Sequence, residues 1–164
     1  MNLSRLSKHQ NRLLLSESQG LKRFCLSLTG DVADAEDLLQ LTVERVLERG
    51  MPADAHVAKW SYRVCRNIWL DELRSREVRQ RYAATAVASE WVAAESADDG
   101  FGRVELERVD AAMQSLPEEQ RSALLLVAVE GRSYAEVSEI LDIPLGTVMS
   151  RVARARRGLA EKLE

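Results

Sequence analysis

Four arginines, Arg151, Arg154, Arg156 and Arg157, fall within the nine residues from Arg151 to Leu159, and no acid lies between Asp142 and Glu161. A guanidinium holds a fixed charge and a planar fork of donors, a shape that fits phosphate oxygens or the O6 and N7 edge of guanine. A second basic group runs from Lys59 to Arg81, with seven basic residues against three acids. Between them, residues 82–105 carry one basic residue, Arg103, against five acids. The whole chain of 164 residues has a formal charge of −3, so positive charge is gathered at two places in an otherwise acidic protein. That distribution suits a polyanion gripped at two points.

Other chemistry is poorly supplied. No nucleophile–base–acid triad, phosphate loop or metal-ligand spacing is present. Cys25, Cys65, His9 and His56 are too few and too scattered for a metal site. No catalytic residue, cofactor or metal is expected. The two cysteines, forty residues apart, read as buried thiols in a reducing compartment. No signal segment or membrane-spanning run is visible, which points to a cytoplasmic protein without membrane insertion.

The elements that must position the arginines are helical. Alanine, leucine, valine, glutamate and arginine dominate while glycine and proline are scarce. Apolar periodicity predicts a helix around Arg12–Leu28. A second helix is capped by Asp31 and stopped by Gly50, with Ala35, Leu38, Leu39, Val43, Val46 and Leu47 on one face. A third covers Ala58–Arg81 and is apolar almost all round: Trp60, Val64 and Ile68 on one side, Tyr62, Trp69 and Leu73 on another. Its narrow polar stripe holds Arg63, Asn67 and Arg74. Residues 82–105 read as a linker. Four more helices follow: about Gly102–Ser115; a second opening at Pro117 and closed by Gly131; a third capped by Ser133 with Glu136 three residues on; and Leu145–Leu163 after Pro144. The fold class is therefore all-α, with two small helical domains, 1–81 and 106–164.

Two short helices joined by a tight turn, the second ending in basic residues, describe a helix-turn-helix. On the last helix, Leu145, Val148, Val152, Ala155 and Leu159 share one side and are expected in the core. Gly146, Ser150, Ala153, Arg154 and Arg157 lie opposite, flanked by Arg151 and Arg156. Small residues let such a helix enter a major groove; arginines can bond guanine or phosphate there.

With these residues in view, "LPEEQRSALLLVAVEGRSYAEVSEILDIPLGTVMSRVARARRGL" resembles region 4 of extracytoplasmic-function sigma factors of the sigma-70 family. "DAEDLLQLTVERVLE" and "KWSYRVCRNIWLDELRSR" resemble region 2, in the same order. The resemblance implies a promoter-specificity subunit that binds core RNA polymerase at the β′ clamp helices and β flap. It places polymerase contacts at Asp37, Leu38, Gln40 and Glu44. The −10 element falls to Arg63, Asn67, Asp71, Arg74 and Arg76. The −35 element falls to Thr147, Ser150, Arg151, Arg154, Arg156 and Arg157. Promoter DNA and an anti-sigma factor are the implied partners besides polymerase. Three positions depart from the family pattern. Asp142 stands where glycine is usual in the turn, which predicts strain or a different cap. Met149 replaces a frequent lysine or arginine, and Leu41 a common acid.

The nearest alternative is a stand-alone helix-turn-helix regulator, which leaves the N-terminal half without a purpose. An enzyme finds no site in the sequence. A module that binds polymerase without initiating shares every motif above.

Overall fold

Ser7 opens the first helix with a reciprocal cap: its hydroxyl accepts from the Gln10 amide at 3.1 Å while the Gln10 side chain accepts from the Ser7 amide at 2.9 Å. The structure is a computed structural model and describes residues 3–83 and 100–164, so most of the expected linker lies outside the described residues. The periodicity around Arg12–Leu28 predicts one helix, but the chain forms two, α1 (Lys8–Ser16) and α2 (Ser18–Thr29), meeting at Glu17. The hydroxyls of Ser16 and Ser18 donate to the carbonyls of Leu13 and Leu15 at 2.7 Å, competing with the helical ladder at that junction.

Asp31 caps α3 (Val32–Arg49) by accepting from the Asp34 amide at 2.9 Å. Gly50 ends it and leads into a two-stranded antiparallel pairing that the sequence pattern did not indicate, β1 (Leu3–Ser4) with β2 (Met51–Pro52). Gly50 has φ 76° and ψ −164°, and a Cβ there would stand 2.0 Å from the Ser4 carbonyl oxygen. Only glycine tolerates both that backbone and that approach.

The long helix α4 (Val57–Tyr82) packs on α1, α2, α3 and α7 and is the central element. Tyr62, Cys65, Ile68 and Trp69 are buried, with the Phe24 ring edge-on to Tyr62 at 5.1 Å and 78°. Trp60, Val64 and Leu73 are only partly buried, so the helix is less evenly covered than its apolar pattern suggests. Cys25 and Cys65 are free, buried thiols with their Sγ atoms 3.4 Å apart. The hydrogen bond with Cys25, together with burial, pushes the Cys65 thiol up.

In the C-terminal half, α5 (Gly100–Gln114) begins two residues before the predicted start, followed by α6 (Glu118–Ala128), α7 (Tyr134–Leu141) and α8 (Leu145–Leu163). The capping box is formed: Ser133 Oγ accepts from the Glu136 amide at 3.1 Å and Glu136 accepts from the Ser133 amide at 3.3 Å. That backbone bond holds the Glu136 carboxyl below the usual range. Asp142 ends α7 in the left-handed region, φ 54° and ψ 52°, and is the only non-glycine at positive φ among the described residues. The turn keeps its shape through Ile143 N–H to the Ser138 carbonyl at 3.2 Å and Ser138 Oγ to the Ile143 carbonyl at 2.5 Å. Packing of α6 on α8 and α7 on α8 buries Leu126, Val137, Ile140, Val148, Val152 and Ala155.

Two substitutions test these backbone readings by urea denaturation. Gly50→Ala is expected to cost more than about 2 kcal/mol, since neither the carbonyl of Ser4 nor the strand pairing can yield cheaply. Asp142→Gly is expected to gain about 0.5–1 kcal/mol by relieving the left-handed strain, less the entropy glycine adds to the unfolded chain.

Candidate nucleic-acid and polymerase interfaces

The inner side of α8 is Val148, Val152 and Ala155, all buried, with Leu159 partly covered. Leu145 does not join them. It is 48% exposed, at the residue where α8 begins. The expected core face thus loses its first member. Outward, Gly146, Ser150, Ala153, Arg154 and Arg157 are exposed, and Arg156 is exposed at the edge of that face, beside Leu106, Val109 and Leu159. Among the described residues, Arg154, Arg156 and Arg157 form no ion pair. Thr147 is half-buried and its carbonyl accepts from Ser150 Oγ at 3.1 Å. Arg151 turns back to Glu119 at 3.5 Å, so it steadies α8 against α6 rather than standing free.

The five positions expected at the −10 element divide three ways. Asn67, Asp71 and Arg74 are exposed along one ridge of α4, with Arg74 3.3 Å from Asp71. Arg63 shares that ridge by spacing, but its guanidinium donates to the Ile140 carbonyl at 3.1 Å and to the Glu139 carbonyl. It is consumed at the C-terminal end of α7, where unpaired carbonyls attract a cation. Arg76 faces the other way. It pairs with Asp34 and with Glu72, each at 3.0 Å, and lies 5.1 Å over the Trp69 ring. Despite burial, which lowers it, these hydrogen bonds hold the Arg76 guanidinium above its ordinary value, while the bond to Arg76 holds Glu72 below its own.

On α3, Asp37, Gln40 and Glu44 are exposed, with Gln40 Nε2 donating to Glu44 at 3.1 Å. Leu38 is 3% exposed and belongs to the domain core, whereas Leu41 is 48% exposed. A groove between α3 and α4 is lined by Asp34, Asp37, Leu41, Arg45, Trp69 and Arg76. A second concavity, which the sequence reading missed, joins Arg45, Arg49, Trp60, Val64 and Asn67. The indole Nε1 of Trp60 is buried there without a hydrogen-bond partner. The four-residue spacing of Arg45 and Arg49 was visible in sequence; their convergence on Asn67 was not.

Residues 13–79 match the family described as Sigma-70 region 2, and residues 106–159 match Sigma-70, region 4. The chain is 32% identical over 152 residues to the ECF RNA polymerase sigma factor EcfG of Rhodopseudomonas palustris, covering 92% of this chain and 82% of that protein. The chain belongs to the extracytoplasmic-function sigma factors. It is 26% identical to SigW of Bacillus subtilis over 152 residues, covering 86% of this chain and 81% of that one. Among solved structures, the sigma factor RpoE of Bartonella quintana, in complex with the anti-sigma factor NepR, superposes with a TM-score of 0.78. It is 28% identical and the match covers 96% of this chain and 98% of that one. CnrH, 23% identical with a TM-score of 0.67, shares the fold.

In this sigma factor, regions 2 and 4 meet around Glu130, whose side chain is 1% exposed. Its carboxylate accepts from Arg23 Nε at 3.1 Å, Arg23 Nη2 at 3.0 Å and Tyr62 Oη at 2.9 Å. Arg132 lies 5.2 Å over the Tyr62 ring and reaches Glu17 at 3.4 Å. Burial first, then the bond to Glu130, keeps Tyr62 protonated well above the ordinary phenol range, so it remains a donor. Around this centre lie Lys59–Glu139 at 2.6 Å, Arg66–Glu118 at 3.0 Å and Gln114 to the Ser27 carbonyl at 3.5 Å.

Tyr62→Phe keeps the ring and deletes the donor; it is expected to cost about 1–2 kcal/mol. Glu130→Ala removes the acceptor of both partners and is expected to cost more, with the two regions moving apart. Urea midpoints and the radius of gyration from small-angle scattering check both; unchanged values for Glu130→Ala would show that the carboxylate does not hold the regions together.

Proposed function

We propose that this sigma factor divides promoter recognition between the two surfaces described above. In region 4, α8 enters the major groove of the −35 element. Arg154, beside Ser150 and Gly146, reads a base edge, while Arg156 and Arg157 hold phosphates. In region 2, Asn67, Asp71 and Arg74 with the concavity of Arg45, Arg49 and Trp60 capture a base exposed from the −10 element. Unstacked bases are read by stacking and by hydrogen bonds to their edges. Core polymerase docks on the acidic outer face of α3, Asp37, Gln40 and Glu44, around Leu41. The chain supplies recognition and the polymerase supplies the chemistry.

The observation that carries this reading is the outward face of α8. From Leu145 to Ala160 it contains no acid, and its three exposed arginines stand apart from any ion pair among the described residues. A merely solvated helix face would mix both signs of charge.

Contact with DNA by Arg63 requires that it leave the α7 carbonyls. The closed arrangement of the regions is therefore a state that polymerase must open. A protein inhibitor of the anti-sigma kind, as in the Bartonella quintana complex, fits a chain whose two halves both expose binding faces. Each state need differ by only a few kcal/mol for a partner to decide between them.

Transcription with purified core polymerase and a promoter library tests the assignment. Promoter-dependent transcripts are expected only when the chain is present. Arg154→Ala should cost about 1–3 kcal/mol and relax preference at one or two −35 positions, whereas Arg156→Ala should weaken all promoters evenly. Equal, sequence-independent losses would remove the base-reading role of Arg154. Tight promoter-specific binding by the chain alone at physiological salt would favour the stand-alone regulator instead.

A further inference from the structure

The exposed face of α8 is not only basic. Leu145 and Met149 are 48% and 51% exposed, and with Ala153 they recur every four residues, drifting about 40° per step toward Arg157. Beside them runs a second row, Gly146, Ser150 and Arg154, also exposed. Burial of Val148, Val152 and Ala155 fixes which side is out, so neither Leu145 nor Met149 can turn inward without unpacking region 4. Their apolar surface is hydrated, and covering it on a partner is favourable. The arginines on the same face and the absence of acids from Leu145 to Ala160 make duplex DNA the complementary occupant rather than a second protein.

We infer that Met149 is a specificity-determining residue that reads thymine in the −35 element through its C5 methyl group, with Leu145 extending the same contact toward the start of the helix. The inference rests on the assignment of α8 to the −35 element. Thymine is the one base that presents an apolar group to the major groove. Methionine is matched to it: the side chain is long and flexible, its thioether is polarisable, and it offers no donor with which to prefer guanine or adenine. The neighbours Gly146, Ser150 and Ala153 are small, so the helix can approach until a four-atom side chain touches the base edge. Arg154 and Arg157 then fix depth and register by bonding guanine or phosphate. Apolar readout by Met149 and polar readout by Arg154 fall on adjacent rows and so address adjacent base pairs.

The test replaces each −35 thymine in turn by uracil, which deletes only the methyl, on a promoter drawn from the library. Holoenzyme assembled from core polymerase and the full chain is measured for promoter binding and transcription. At one or two positions uracil should weaken binding about fourfold, the effect of losing one buried methyl. Met149→Ala should abolish that difference between thymine and uracil, and Met149→Leu should keep most of it. Circular dichroism and binding to core polymerase should be unchanged in both variants, since the residue lies outside the packed core. Equal binding to thymine and uracil at every position, in a holoenzyme that initiates normally, would overturn the inference while leaving the sigma-factor reading intact. So would discrimination that survives Met149→Ala, or a Met149→Ala variant whose defect lies in binding core polymerase. A holoenzyme that shows no promoter dependence at all would overturn the −35 assignment and the inference with it.

Discussion

The carboxylate of Glu130, almost completely removed from solvent between regions 2 and 4, is the constraint around which the two halves are arranged. A buried charge without partners is too costly to keep, and Glu130 finds them only across the interface, in Arg23 of α2 and Tyr62 of α4. The two-pronged contact from Arg23 fixes orientation as well as distance. Tyr62 ties the same point to the region 2 core, where its ring meets Phe24. Space at the junction is tight: a Cβ at Gly20 would lie 2.8 Å from the Tyr62 hydroxyl. Satisfying this acid ties α2, α4 and the α6–α7 connection together at one point.

The outer contacts of the interface are of a different kind. Lys59–Glu139 is largely solvent-accessible on its acidic side, and exposed pairs of that sort contribute about 0–1 kcal/mol. Arg63 contributes by binding two carbonyls that the end of α7 leaves unpaired, and Arg66 by its bond to Glu118. Both come from the basic segment that the charge pattern marks for a polyanion. Region 4 thus engages two cations of that basic segment. A few polar contacts around one buried acid make an interface that is specific in geometry yet open to competition, a property suited to a protein that exchanges partners.

Much of the fold was readable from particular residues. Asp31, Gly50, the Ser133–Glu136 pair and Pro144 marked helix ends because capping is a local matter of who satisfies the terminal amides and carbonyls. The inner face of α8 at Val148, Val152 and Ala155, and its basic outer face, followed from the helical period. The misreadings have equally physical causes. Leu38 lies on the expected apolar face of α3 and is buried as the helical period requires, although the resemblance placed it at a polymerase contact; Leu41, off that face, is 48% exposed. Leu145 has the right period for the core but stands at the first residue of α8 and is 48% exposed. The break at Glu17 is accompanied by hydroxyl-to-carbonyl bonds from Ser16 and Ser18, a local feature that an apolar period does not register.

The sequence by itself determined most of the helix ends, the order of the two regions and the identity of the arginines that face outward on α8. These depend on neighbours within four residues along the chain, where periodicity and capping act. Tertiary structure alone decided which cations are free. Arg154, Arg156 and Arg157 form no ion pair among the described residues, while Arg63 and Arg66 are drawn to α7 and Glu118, Arg76 to Asp34, and Arg151 to Glu119. A guanidinium's partner is set by which acceptors lie within a few ångströms in space, and those acceptors come from residues separated by 32 to 77 positions in all these cases.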